Sequence, residues 1–295
     1  MASTLPQGDA ASHRLNRIAG ATAILTALVL VAIKGWAWLA TGSLSVATSV
    51  VDSALDLLTS AANFAAIIYA ARPPDAEHQF GHDAIEDVAA LGQALIVAGS
   101  ALAIGWNAMA RLIEPVALAS ESAGIAVMVV SLGITAALVL FQRYVARRTG
   151  SRVIAADALH YLSDALPAGA AILALGASGW LGIAWLDPVL SIFAACVLMR
   201  GAWGIAAEAF AGLLDRELDP RQIERIAAIA RATPGLAGFH DLKTRRSGSR
   251  VYIQIHVEID GTRSLHEAHA IGATLRHHLL AEFPRAEVIV HKDPV

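Results

Sequence analysis

The sequence predicts an α-helical membrane domain of six transmembrane helices followed by a small α+β domain of order αββαβ. Three observations predict it. The 295 residues are 56% hydrophobic and 16% charged, with a mean hydropathy of +0.56, whereas a soluble domain carries about a quarter charged residues. The basic residues are unevenly spread: residues 1–210 hold 10 of the 22 Lys and Arg, and residues 211–295 hold the other 12. Six stretches reach the roughly 20 mostly apolar residues that a helix needs to cross a bilayer. The predicted division is a flexible N-terminal tail over 1–13, a membrane domain over 14–212 and a cytoplasmic domain over 213–295. A net charge of −3 gives no basis for nucleic-acid binding. The single cysteine, Cys196, excludes a disulfide framework and a Cys-based zinc finger. The opening MASTLPQGDAASHRLNR shows no short apolar core with a cleavage site and does not read as a secretory signal.

The first two spans, Ile18–Ala40 and Leu44–Ala71, are separated only by Thr41-Gly42-Ser43, a turn signal inside one long apolar block. Ile85–Ala110, Ala123–Phe141, Val153–Leu175 and Pro188–Phe210 follow. Arg14, Arg17, Arg72, Arg143, Arg147, Arg148 and Arg152 fall on one side of these spans and Arg111 on the other. Basic loops stay in the cytoplasm, so both termini are expected there, in a bacterial inner membrane. Beyond Leu214, Asp219–Thr233 reads as an amphipathic helix ended by Pro234-Gly235. Gly238–Arg246 and Arg250–Asp260 read as strands. The second alternates Val251, Ile253, Ile255 and Val257 with Tyr252, Gln254, His256 and Glu258. Ser264–Phe283 reads as a helix and Glu287–His291 as a last strand, giving helices on one side of a sheet.

The unusual residues lie inside the spans, where an ionised side chain costs about 2.5–3.5 kcal/mol on insertion scales. Asp52 and Asp56 in span two, and His160 and Asp164 in span five, are each four apart and so share a helix face. Two facing pairs supply three carboxylates and one imidazole, a ligand set that suits tetrahedral Zn²⁺ or a similar divalent ion. Lys34 reads as a structural cation that neutralises a carboxylate or snorkels. Asp157 reads as a solvated acid near the start of span five. Between spans two and three, Asp75, His78 and His82 form a hard-plus-imidazole set in a short Pro/Gly-shaped loop. In the tail, His240, His256, His269, His291 and Asp293 are candidates for one shared site. His291 and Asp293, two apart on an extended segment, point the same way.

The strings VDSALDLLTSAAN, PPDAEHQFGHDAIE, ADALHYLSDALP, GFHDLKTRRSG, IQIHVEID and VIVHKDP together resemble the cation diffusion facilitators, most closely their bacterial zinc and ferrous-iron efflux subgroup. The resemblance runs from about Ser12 to Val295. It implies a homodimer of six-span subunits that exports divalent metal in exchange for protons, with a metallochaperone-like cytoplasmic domain. By matching positions it implies a transport site of Asp52, Asp56, His160 and Asp164. It also implies a loop site of Asp75, His78 and His82, and a cytoplasmic-domain site of His240, His256, His269, His291 and Asp293. The implied metal is Zn²⁺, both transported and structural, with Fe²⁺, Cd²⁺ and Co²⁺ as alternative substrates. Two departures stand out. The family loop commonly continues GHG with Lys or Arg, but here Ala84 follows Gly81-His82-Asp83, so a charge contact with Asp215 is not expected. Lys292 stands between His291 and Asp293; a protonated Lys offers a metal no acceptor, so a weaker second ion is expected there.

Two other classes compete. A metal-dependent membrane enzyme needs an open coordination position for water, and four protein ligands leave none. A membrane-anchored metal sensor gives the polar residues of spans two and five no purpose. No Walker motif is present to suggest ATP, which leaves the proton gradient as the expected energy source.

Overall fold

The computed structural model describes residues 7–42, 44–113, 122–181, 185–248 and 250–295. The chain divides into two compact units, one of Arg14–Ala209 and one of Phe210–Val295 together with the residues up to His13. The first is built on six long helices: α1 (Gln7–Thr41), α2 (Leu44–Ala70), α3 (Ala84–Ile113), α4 (Ser122–Thr149), α5 (Arg152–Leu181) and α6 (Leu186–Leu213). Among the described residues, α1, α2, α3, α4 and α6 contain segments long and apolar enough to cross a membrane. The expectation of six apolar spans is thus met by five. The remaining helix, α5, carries Arg152, Asp157, His160 and Asp164 in its first half and Pro167 in its interior. Within the expected tail over 1–13, α1 begins at Gln7. Met1–Pro6, and Ser43 of the predicted turn, lie outside the described residues.

Burial in this unit runs opposite to that of a soluble protein. Trp36, Leu39, Leu102, Trp106, Phe193 and Trp203 are exposed, whereas Ala19, Ala23, Ala27, Ala90, Ala94, Ala156 and Ala158 are buried. Lipid is as apolar as leucine, so helices in it associate through small residues that let backbones approach. At Gly201 of α6 an added Cβ would stand 2.8 Å from Leu159 Cδ1, and at Gly20 of α1 it would stand 2.7 Å from Phe64 Cδ2.

Helix α5 packs against α2, α3 and α4. Its Leu159 joins Val97 and Ala101 of α3 and Leu198 and Ala202 of α6 in one cluster. Tyr161, 1% exposed, shares a 2.8 Å hydrogen bond with Ser60 and donates to the Ala23 carbonyl at 3.3 Å. This central position explains why Asp157, His160 and Ser163 of α5 are buried.

The second unit holds α7 (Pro220–Ala232), β1 (Gly238–Ser247), β2 (Arg250–Ile259), α8 (Leu265–Glu282) and β3 (Ala286–Pro294). The αββαβ order is as expected, and β3 runs three residues further than predicted, so Asp293 lies within it. The sheet order is β1-β2-β3, with β1 antiparallel and β3 parallel to β2. Asp219 caps α7 by accepting from the Arg221 N–H. Ser264 and Glu267 form a reciprocal capping box at α8. The core gathers Val251, Ile253, Ile255 and Val257 of β2 with Ile226, Leu275, Leu279 and Val288. Both helices therefore cover that face, and among the described residues of this unit no helix covers the face bearing His256 and Glu258.

Candidate metal centres

In the membrane unit, Asp56 of α2 and His160 and Asp164 of α5 each offer a ligand atom, all within 4.8 Å of one another. His160 Nε2 stands 3.2 Å from Asp56 Oδ1. His160 is 7% exposed, and among the described residues its Nδ1 has no hydrogen-bond partner. Helical spacing explains the convergence: His160 and Asp164 are one turn apart on the face that α5 turns toward α2. Two carboxylates and an imidazole on two rigid helices make a compact oxygen-and-nitrogen donor set for a divalent ion. Asp52, one turn before Asp56, is exposed and lies outside this group of three.

Asp157 is not the solvated acid expected. It is 3% exposed and accepts from Asn63 Nδ2 at 2.9 Å and from Gln142 Nε2 at 2.5 Å. Lying three residues before His160, it faces the same bundle interior, and the two amides take the place of water. Lys34 does not snorkel; its Nζ donates to Ser53 Oγ at 2.7 Å, beside Asp52. Sequence reading missed Asn63 and Gln142, and also Glu86 and Asp87 in the first turn of α3. Both acids are buried; Glu86 accepts from Ser151 Oγ at 3.0 Å and Asp87 from Arg152 Nη1 at 2.5 Å. Two acids inside a predicted apolar span were the signal that could have found them.

In the loop between α2 and α3, Asp75, His78 and His82 again bring ligand atoms within 4.8 Å. His78 Nδ1 is 3.2 Å from Asp75 Oδ1, and His82 Nε2 is 3.2 Å from Asp75 Oδ2. The backbone N–H groups of His78 and Glu77 donate to Asp75 Oδ1. That of His78, above all, holds the Asp75 carboxyl below its ordinary value. Gly81, at φ +89, turns the chain so that His82 tucks under the Tyr69 ring, 4.7 Å between centroids. His82 is buried, and among the described residues its Nδ1 has no hydrogen-bond partner.

In the tail, three histidines lie abreast across the sheet. His240 pairs with His256, and His256 with His291, in successive strand registers. Ring centroids are 5.3 and 4.5 Å apart. The next position along brings Glu258 opposite Asp293. Asp293 Oδ2 is 3.0 Å from His256 Nδ1 and 3.5 Å from His240 Nε2, and its Oδ1 is 3.2 Å from His291 Nε2. Glu258 Oε1, missed as a site residue, is 3.2 Å from His240 Nδ1. His240, His256 and Asp293 bring ligand atoms within 4.8 Å of one another, a donor set that fits a zinc-like ion, and His291 lies beside them on the second oxygen of Asp293.

Two further residues of the tail lie on the other side of the sheet. His269 lies on α8, which packs on the opposite face of the sheet beside Ala268, Ile271 and Leu275, so this chain does not bring it to the row. Lys292 alternates onto that helix-covered face, where its Cε lies beside Gly272. Asp215, left without a basic residue at position 84, accepts from Arg245 Nη1 at 2.8 Å.

Both parts of the chain resemble known domains. Residues 21–214 match the cation efflux transmembrane domain, and residues 218–295 match the cation efflux protein cytoplasmic domain. The cation-efflux pump FieF of Shewanella oneidensis is 41% identical over 281 residues, covering 95% of this chain and 94% of that one. The FieF of Yersinia pestis (strain Pestoides F) is 40% identical, covering 95% and 93%. A solved chain of CzrB in its zinc form is 33% identical over 27% of this chain and 92% of that one, at a TM-score of 0.26. With both domains matched and relatives of this identity along nearly its whole length, the chain belongs to the cation diffusion facilitator family and is a multi-pass cation efflux transporter, not an enzyme.

Proposed function

We propose that this transporter is a divalent-metal/proton antiporter that exports Zn²⁺ from the cytoplasm, with Fe²⁺, Cd²⁺ and Co²⁺ as further substrates. The observation that carries the reading is the group Asp56, His160 and Asp164, on two helices of a bundle whose outer surface is apolar. Asp52 completes the set as a fourth ligand when α2 and α5 close on the ion. Carboxylates gathered this tightly repel one another once the ion leaves, and protons relieve the repulsion, so metal and proton compete for the same side chains. Alternating exposure of that site to the two sides of the membrane turns the competition into exchange. All six long helices span a bacterial inner membrane with both termini in the cytoplasm, consistent with the basic residues around α1 and between α4 and α5.

The loop group and the histidine row are resident sites. Asp75, His78 and His82 would hold one ion, and His240, His256, His291 and Asp293 would hold another, with His269 as a further ligand only from a second chain. A bound ion in the histidine row would add a cross-link between segments that are distant in sequence. The subunits work as a homodimer through the cytoplasmic domain. The match to efflux-protein domains in both halves favours this over a sensor.

The test is Zn²⁺ uptake into sealed proteoliposomes driven by an imposed pH gradient. Uptake should follow the gradient, and Asp56→Ala or Asp164→Ala should abolish it in folded protein. The loss should exceed the ~10–100-fold fall in metal affinity that removal of an outer-shell partner brings. Gradient-independent uptake, or wild-type rates in either variant, would overturn the reading.

A further inference from the structure

We infer that Lys34 is the fixed counter-charge of the membrane site and sets how tightly that site holds a divalent cation. The inference rests on the reading of Asp52, Asp56, His160 and Asp164 as the transport site. Lys34 lies in the apolar stretch of α1, where an ammonium is costly unless it is used or escapes to the interface. It does not escape. Its Nζ donates at 2.7 Å to Ser53 Oγ, and Ser53 is fully buried. Ser53 follows Asp52 and lies three residues before Asp56, so the ammonium is anchored to the same stretch of α2 that carries both carboxylates.

Charge balance gives that anchor a purpose. Three ionised carboxylates and a divalent ion leave one negative charge over; with the ammonium beside them the loaded site is neutral. A neutral loaded site is the form a low-dielectric bundle tolerates best. The same ammonium repels an incoming metal ion, so it weakens binding and favours release. Ser53 serves as a neutral tether, keeping the ammonium near the carboxylates without letting it occupy the ion's position. A structural lysine and a counter-charge lysine therefore predict opposite outcomes when the charge is removed. Losing a structural prop loosens the site and weakens the metal. Losing a counter-charge strengthens it.

The experiment is equilibrium Zn²⁺ binding to the full-length protein in detergent, beside Asp56→Ala, which identifies the binding component that belongs to the membrane site. In Lys34→Gln, which keeps a donor for Ser53, and in Lys34→Met, that component should tighten by about tenfold or more. This follows from one unit charge acting on a divalent ion at several ångströms in a medium of effective dielectric ~20. Lys34→Arg should bind as wild type does. Turnover in proteoliposomes should fall in both neutral variants while half-saturation falls with it, the signature of slowed release. Unchanged or weaker binding in both neutral variants, with Asp56→Ala still removing its component, overturns the role of Lys34 alone. If Asp56→Ala removes no component at all, the assignment of the membrane site falls, and this inference with it.

Discussion

His160 is the one nitrogen donor in a group otherwise made of carboxylates, and this ratio makes a claim about selectivity. Imidazole is a borderline ligand that suits Zn²⁺, whereas carboxylate suits harder, oxygen-preferring ions. His160→Asp should therefore shift the transported ion from Zn²⁺ toward Mn²⁺, checked by uptake of each metal at the same free concentration. An unmoved ratio in a variant that still transports would show that these ligands do not set the choice. The pairs at i,i+4 were legible because helical geometry is local. Burial of Asp157 was harder to see, because it depends on Asn63 and Gln142, 94 and 15 residues away. Its place three residues before His160 was nevertheless a clue, since such residues share a face.

At the scale of elements, length and periodicity were enough to find the long helices and the αββαβ order of the tail. What they could not supply was which face each element buries against what. Strand register is a matter of tertiary pairing, so the alignment of His240, His256 and His291 was visible only once β1 and β3 were placed on either side of β2. The position of His269 was more accessible: Ala268, Ile271, Leu275 and Leu279 mark the buried stripe of α8, and residue 269 falls beside it. The start of α8 also carries a pH dependence. Glu267 donates no proton there; its carboxylate accepts from the Ser264 hydroxyl and N–H, and the Ser264 side chain, first among these, lowers its pKa from 4.5. A lowered folded value means that the capping box contributes fully above the unfolded value and is lost as pH falls through the folded one. The resistance of the tail to denaturant should thus fall on acidification below the ordinary glutamate value of 4.5, and Glu267→Gln should flatten that part of the profile.

For the whole molecule, the division into two units separates chemistry from support. The membrane unit contains Asp56, His160, Asp164 and the loop group within Arg14–Ala209, and the histidine row lies wholly in the other unit. Removing residues 214–295 should accordingly lower metal affinity or dimer stability while leaving measurable gradient-driven uptake. Complete loss of transport from folded, membrane-inserted truncated protein would place the tail on the ion's route. One feature of that tail reaches beyond transport. Its three histidines sit on three different strands, in line only because β2 pairs antiparallel with one neighbour and parallel with the other. A slip of one residue between β2 and β3 would turn His291 and Asp293 to the helix-covered side and bring Lys292 outward. If the row holds a metal ion as proposed, that ion would assemble only on a sheet whose registration is already right. To a newly made chain it would act as an inspector, granting extra lifetime to copies whose strands are aligned and none to those misaligned.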